Sequence, residues 1–404
     1  MQEHAPLVVA VALLAAALAV TSGKIKNGVD FLSEPLIAVV VGFLVGPELL
    51  TLVDFAPTHH GLEQVAEVTI GLAVMAGALR VPRWFYRQRW GSFLVMLLGG
   101  MVLMWGASAL AAGLVFSLPL LTALVIGAVV TPTDPVLAGS ILGSRTAENR
   151  VPQRLRALIN SESAANDGLG LPFVLLPLAL LTGDHASYGA FAAEVILWKV
   201  GGALVIGVSI GVACGLLISR VLAESWTSRN AIIGLSVALV FLLLGLGKLV
   251  SFDGILAVFG AGAALNLTMK AESEASSQAF DESIKRLFEQ PMFFLLGTLL
   301  PVRAWVDEGW LLLLLCVVIL LLRRLPAVLV LSPLLKPVQS WRDLVFVGWF
   351  GPIGVAATYY ALLAERHSGN ELFWVLGSAV VVSSTLIHGI TATPGAKAYP
   401  PQRG

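Results

Sequence analysis

Between Leu7 and Thr391 the chain is a succession of apolar runs, each closed by a polar, Gly or Pro break. A bilayer core of about 30 Å takes roughly 20 apolar residues as a helix, fewer where the helix is short or broken. Thirteen such runs can be read, at about 7–22, 35–52, 63–80, 92–116, 118–143, 157–181, 190–220, 229–249, 253–268, 284–302, 309–334, 341–364 and 372–391. Charged residues make up only 12% of the chain, where a soluble domain has roughly 25%. With 57% hydrophobic residues and a mean hydropathy of +0.88, no soluble surface can be covered. A cytosolic enzyme, a secreted disulfide scaffold and a disordered regulator are all excluded.

The reading is an all-α polytopic membrane protein. Residues 1–392 form a single transmembrane domain, and 393–404 a short tail. Leu7 to Val20 follows Glu3 and His4 rather than a basic stretch, so it reads as a first spanning helix and not as a leader. Basic and acidic residues balance at 25 each, which suggests no nucleic-acid partner. Cys214 and Cys316 lie in apolar runs without metal-ligand spacing and read as small hydrophobes. Counting Lys and Arg near the helix ends gives seventeen on odd-numbered loops and three (Lys248, Arg303 and Arg366) on even-numbered ones. The positive-inside rule then puts the C-terminus in the cytoplasm and the N-terminus outside, as expected for a multi-pass protein of the cell membrane.

An ionisable group at membrane depth is costly, so each needs a partner or a task. The fifth run contains Thr131-Pro132-Thr133-Asp134-Pro135. Two prolines three residues apart remove backbone donors and stop a regular helix. Unwound backbone at that depth must be buried in protein or line a cavity. The sixth run carries Asn160-Ser161-Glu162-Ser163-Ala164-Ala165-Asn166-Asp167. Helical spacing puts Glu162 and Asn166 on one face, and likewise Ser163 and Asp167. The twelfth run has a second interruption at Gly351-Pro352. Runs five and twelve are an odd number apart and so cross in opposite directions. Paired broken segments in two inverted halves point to a transporter's midplane site. The eleventh run ends in Arg323-Arg324-Leu325-Pro326 and brings a permanent cation near these carboxylates.

These segments resemble the monovalent cation/proton antiporter superfamily, in particular its NhaP-type and fungal plasma-membrane members. TPTDPVLAGS (Thr131 to Ser140) is similar to the family's unwound-helix motif, VPQRLRALINSESAANDGLGLPFV (Val151 to Val174) to its asparagine–aspartate helix, and GWFGPIGVA (Gly348 to Ala356) to the fungal version of the second broken helix. The resemblance implies the Na+/H+ antiporter fold, with about 13 helices, inverted repeats and two crossed, unwound helices. Its ion-binding core falls at about 118–181 and 309–364.

It also implies that Asp167 carries the cation or the proton, with Asp134, Ser163 and Thr133 as ligands or supports. Glu162 is expected to pair with Arg323, chosen over Arg324 by matching the family's Arg-x-Leu, with Asn166 beside them. A homodimer is implied in the same way. Two positions depart from the pattern: Met75 stands where NhaP-type members have an acidic residue, so that either the ligand set is smaller or Glu67 contributes from two turns away, and Ile353 stands where many bacterial relatives have arginine. The fungal members' long tail has no counterpart, so its regulation is not expected.

The activity implied is exchange of Na+, or of Li+ or K+, for H+ by alternating access, one for one, with no cofactor. A K+/H+ antiporter of the same fold is the nearest alternative. A channel or an intramembrane hydrolase is more distant: the sequence has no HExxH and no GxSxG, and no motif assigns a serine partner to His388. Several charged residues have plain structural readings. Asp253, like Ser251, reads as a helix cap, and Asp134 can act as one. Tryptophans near the run ends, among them Trp84, Trp90, Trp305 and Trp374, suit an interfacial belt.

Overall fold

The computed structural model describes residues 33–49, 58–135, 137–138, 145–183, 187–224, 231–269 and 285–400. Within them the ordered elements are helical. They are α1 (Glu34–Val45), α2 (His59–Arg80), α3 (Arg83–Phe116), α4 (Leu120–Val129), α5 (Arg145–Arg150), α6 (Gln153–Thr182), α7 (Tyr188–Ala223), α8 (Ala231–Val250), α9 (Gly254–Thr268), α10 (Gln290–Thr298), α11 (Val302–Glu308), α12 (Trp310–Leu322), α13 (Leu325–Leu331), α14 (Trp341–Trp349), α15 (Val355–Ser368) and α16 (Leu372–Lys397). Seven helical spans among the described residues are long and apolar enough to cross a membrane, one of them Trp310–Leu334, which takes in α12 and α13; α1, α4 and α9 are shorter apolar helices. The first expected helix, at 7–22, lies outside the described residues.

Helix ends follow local chemistry. Thr58 caps α2 through its side chain, and Ser340 caps α14. Asp253 accepts the Leu256 N–H at the head of α9, so the cap falls on Asp253 rather than on Ser251. Gly183 and Gly369 close α6 and α15 in the left-handed region. The last helix runs on through Pro394 to Lys397, past the expected end at 391, and Tyr399 donates to the buried Asp343 carboxylate at 3.1 Å.

The helices sort by burial. In α2, 78% of the apolar window is buried; in α7 only 28% is, and its Leu197, Val205, Leu216 and Leu217 face outward. An outward apolar face is what lipid requires, so α2 is an inner helix and α7 a peripheral one. The backbone of α7 nevertheless comes very close to α9. A Cβ added at Gly207 would lie 2.1 Å from the Ala257 carbonyl oxygen, and one at Gly211 would lie 2.3 Å from that of Ala261. Small residues four apart are what permit such close helix pairs where apolar surroundings supply no hydrophobic drive. On its other side α9 packs on α2 and α6, closing the core in which the polar residues sit.

Candidate functional site

Two broken helices meet at the site. At about 1.5 Å per residue, the 10 residues of α4 rise roughly 15 Å, half of a hydrocarbon core of about 30 Å. The helix stops there because Pro132 and Pro135 offer no N–H. The 9 residues of α14 stop similarly before Gly351-Pro352, and α15 resumes at Val355. The interruptions touch each other: the Asp134 N–H donates to the Pro352 carbonyl at 2.8 Å.

Asp134 serves both restarting helices. Its Oδ1 accepts the Leu137 N–H at 3.1 Å and its Oδ2 accepts the Val355 N–H at 2.7 Å. Helix N-termini carry partial positive charge and unsatisfied N–H groups, so one carboxylate answers both. Gly354 makes room for this contact, since a Cβ there would fall 1.8 Å from Asp134 Oδ2.

Arg323 does the complementary job at the ends that stop. Its guanidinium donates to the carbonyls of Val130 at 3.0 Å, Thr131 at 2.7 Å and Pro132 at 3.3 Å, and to that of Gly351. Arg323 is therefore not the partner of Glu162, contrary to the pairing drawn from the sequence. Arg324 is. Its two terminal nitrogens lie 3.0 and 2.8 Å from the two Glu162 oxygens, and its Nε donates to the Val347 carbonyl. The two arginines sit at the junction between α12 and α13. Adjacent residues there point to different sides, so a one-residue slip in matching the motif exchanges their roles.

Glu162 and Asn166 share a helix face, as expected, and are bonded at 2.7 Å. The Asn166 amide also donates to Thr133 Oγ1 at 2.7 Å and accepts the Thr133 N–H at 3.1 Å. The Thr133 hydroxyl lies 3.1 Å from that of Ser163. Thus Glu162, Ser163, Asn166 and Thr133, with Arg324, form one buried network that ties α6 to the unwound segment. A fully satisfied network of this kind is rigid.

Asp167 differs from all of these. It is 1% exposed, and its Oδ1 has no hydrogen-bond partner among the described residues. The Tyr360 hydroxyl, on α15, donates to its main-chain carbonyl and leaves the carboxylate alone. A buried carboxylate oxygen without a donor fits a proton or a hard monovalent cation, either of which supplies the missing positive charge. The carbonyls of Thr131 and Gly351 accept from Arg323.

The sodium/hydrogen exchanger transmembrane family model matches residues 9–398. The chain belongs to the sodium/hydrogen exchanger family. This exchanger is 29% identical over 392 residues to a Na(+)/H(+) antiporter of Schizosaccharomyces pombe, covering 89% of this chain and 83% of the relative. A probable Na(+)/H(+) antiporter of the same yeast is 30% identical over 89% of this chain, and Na(+)/H(+) antiporter 2 of Zygosaccharomyces rouxii is 29% identical over 89%. The matches span 52% and 49% of those two longer relatives. The fold is that of the sodium proton antiporter MjNhaP1 from Methanocaldococcus jannaschii, with a TM-score of 0.75, 16% identity and coverage of 98% and 99% of the two chains. These relatives are transporters rather than enzymes.

Met75 and Ile353, the two positions expected to depart from the family pattern, are both uncharged and buried. Met75 is fully buried on α2. Glu67 pairs with Lys248 at 2.8 Å instead of joining the Glu162 network. Ile353 is buried, and its N–H donates to Ser384 Oγ at 2.7 Å. Ser384 also lies 3.0 Å from His388 Nδ1, while His388 Nε2 lies 3.0 Å from the Trp349 carbonyl. This serine–histidine pair steadies the second broken helix and was readable as an i, i+4 spacing. Arg324 was visible beside Arg323 in the sequence, whereas Tyr360 belongs to no motif that would have singled it out.

Proposed function

We propose that this exchanger moves Na+, with Li+ or K+ as further substrates, against H+ by alternating access, the cation and the proton excluding each other at Asp167. The observation that carries this reading is the bare Oδ1 of Asp167, buried beside two helix breaks. Each ligand displaces the other from one carboxylate, so coupling needs no further machinery. Asp134, Ser163 and Thr133 support the site, with Asp134 acting chiefly through the helix ends it caps.

The stoichiometry is one for one. Glu162 is neutralised by Arg324 and Asn166 is uncharged, which leaves a single exchanging carboxylate on α6. An electroneutral cycle is indifferent to voltage, which otherwise acts at about 2.3 kcal/mol per charge per 100 mV. The protein sits in the cell membrane with its C-terminus in the cytoplasm, a placement supported by the Lys and Arg asymmetry of its loops.

The test is a proteoliposome assay. Added Na+ should dissipate an imposed acid interior with wild-type protein, and Asp167→Asn should abolish the response. Full exchange by that variant would overturn the assignment. A cation current in place of a saturable pH change would mean a channel. The K+/H+ reading is favoured by 24% identity over 369 residues to a K(+)/H(+) antiporter, NhaP2, of Shewanella oneidensis. A Li+, Na+ and K+ series in the same assay decides between them.

A further inference from the structure

One turn beyond Asp167 on α6, Leu171 lines a cavity of about 110 Å³ at the end of the bundle away from Arg80. Its polar wall comes from Glu67 on α2, Lys248 on α8, Asp253 at the head of α9, and Tyr359 and Tyr360 on α15. Asp253 is 3% exposed; its Oδ1 accepts the Leu256 N–H at 3.0 Å and its Oδ2 has no hydrogen-bond partner among the described residues. Glu67 is held by Lys248, whose side chain is 64% exposed. Lys199, the other nearby cation, is turned to Glu194 at 3.6 Å and to the Ser251 carbonyl at 3.4 Å.

Two carboxylates thus face a space containing one loosely held ammonium. Water's share of liquid volume is about 30 Å³ per molecule, so the cavity takes a small ion together with some of its hydration shell. The second wall residue of α15, Tyr360, donates its hydroxyl to the Asp167 main-chain carbonyl, so the cavity and the buried site share this side chain as a partition.

We propose that the cavity is a second cation station, where a partly hydrated monovalent cation rests against Asp253 and Glu67 on its way to or from Asp167. The Lys248 ammonium marks the place of that charge when the station is empty and swings into solvent when the ion enters. Asp253 Oδ2, without a hydrogen-bond partner among the described residues, supplies the oxygen. This inference rests on the antiport reading and extends it by one site.

Equilibrium binding of radioactive Na+ to the purified full-length protein in detergent tests it. The wild type should bind two ions per chain, Asp167→Asn and Asp253→Asn one each, and the double variant none. Asparagine keeps the acceptor that caps α9, so Asp253→Asn should retain the wild-type melting temperature. If it does not fold, Glu67→Gln in the Asp167→Asn background takes its place, with affinity for the remaining ion expected to fall about tenfold, equivalent to 1.4 kcal/mol. Loss of all binding in Asp167→Asn alone, or two ions retained in Asp253→Asn, overturns the second station. Failure of the antiport reading would show separately, as Asp167→Asn liposomes that still exchange.

Discussion

Arg324 closes on Glu162 with both terminal nitrogens, at 2.8 and 3.0 Å, across 162 residues of sequence and in near-complete burial. Its neighbour Arg323 makes no such pair and is spent on four main-chain carbonyls. The two side chains therefore hold the site together in different ways, and substitution should separate them.

Arg324→Ala strands a carboxylate in the core. Breaking one side of a buried pair costs about 3–5 kcal/mol, so the variant should melt far lower or fail to assemble, as size-exclusion chromatography in detergent would show. Glu162→Gln with Arg324→Gln should recover part of the loss, because neither charge is then left alone. A double-mutant cycle should give a coupling between Glu162 and Arg324 of at least about 1 kcal/mol. The cycle between Glu162 and Arg323 should be smaller, and a larger value there would contradict the geometry.

Arg323→Ala frees the carbonyls at the stopping ends of α4 and α14. Each buried acceptor left bare costs about 1–3 kcal/mol. The expected outcome is a destabilised protein with little exchange, and Arg323→Lys should recover only part of it, since one ammonium cannot reach carbonyls on both segments. Parallel melting and liposome assays compare the three proteins.

Gly354→Ala should abolish exchange in a protein that still inserts. The new Cβ would collide with Asp134 Oδ2, which caps α15 through the Val355 N–H. Losing an N-cap costs typically about 1 kcal/mol, a modest loss of stability beside a complete loss of function. Wild-type transport by this variant would show that the cap is dispensable.

Asp167→Asn should leave the melting temperature unchanged or raise it, since a buried charge without a donor is a burden on the fold. In the wild type, lowering the pH adds a proton to the carboxylate that the cation needs. The apparent KM for Na+ should therefore rise as pH falls, by at most about tenfold per unit for one proton against one ion. Vmax should stay constant. A fall in Vmax at constant KM would mean that the two ligands do not share a site.

Much of this architecture was legible in the order of the residues. Apolar runs of bilayer length require helices, and paired prolines and glycines stop them at Thr131–Pro135 and Gly351–Pro352. The i, i+4 geometry of a helix sets Glu162 beside Asn166 whatever surrounds it. Those conclusions hold because they depend on backbone periodicity and donor counts, which are local. Packing alone decided that Arg324 rather than Arg323 meets Glu162, that Asp134 answers two helix ends at once, and that Asp167 is left with an oxygen over while Glu162 on the same helix is not. Each depends on which side chains from distant helices arrive at the same point, and one residue's difference in register changes the partner while leaving the pattern of the chain untouched.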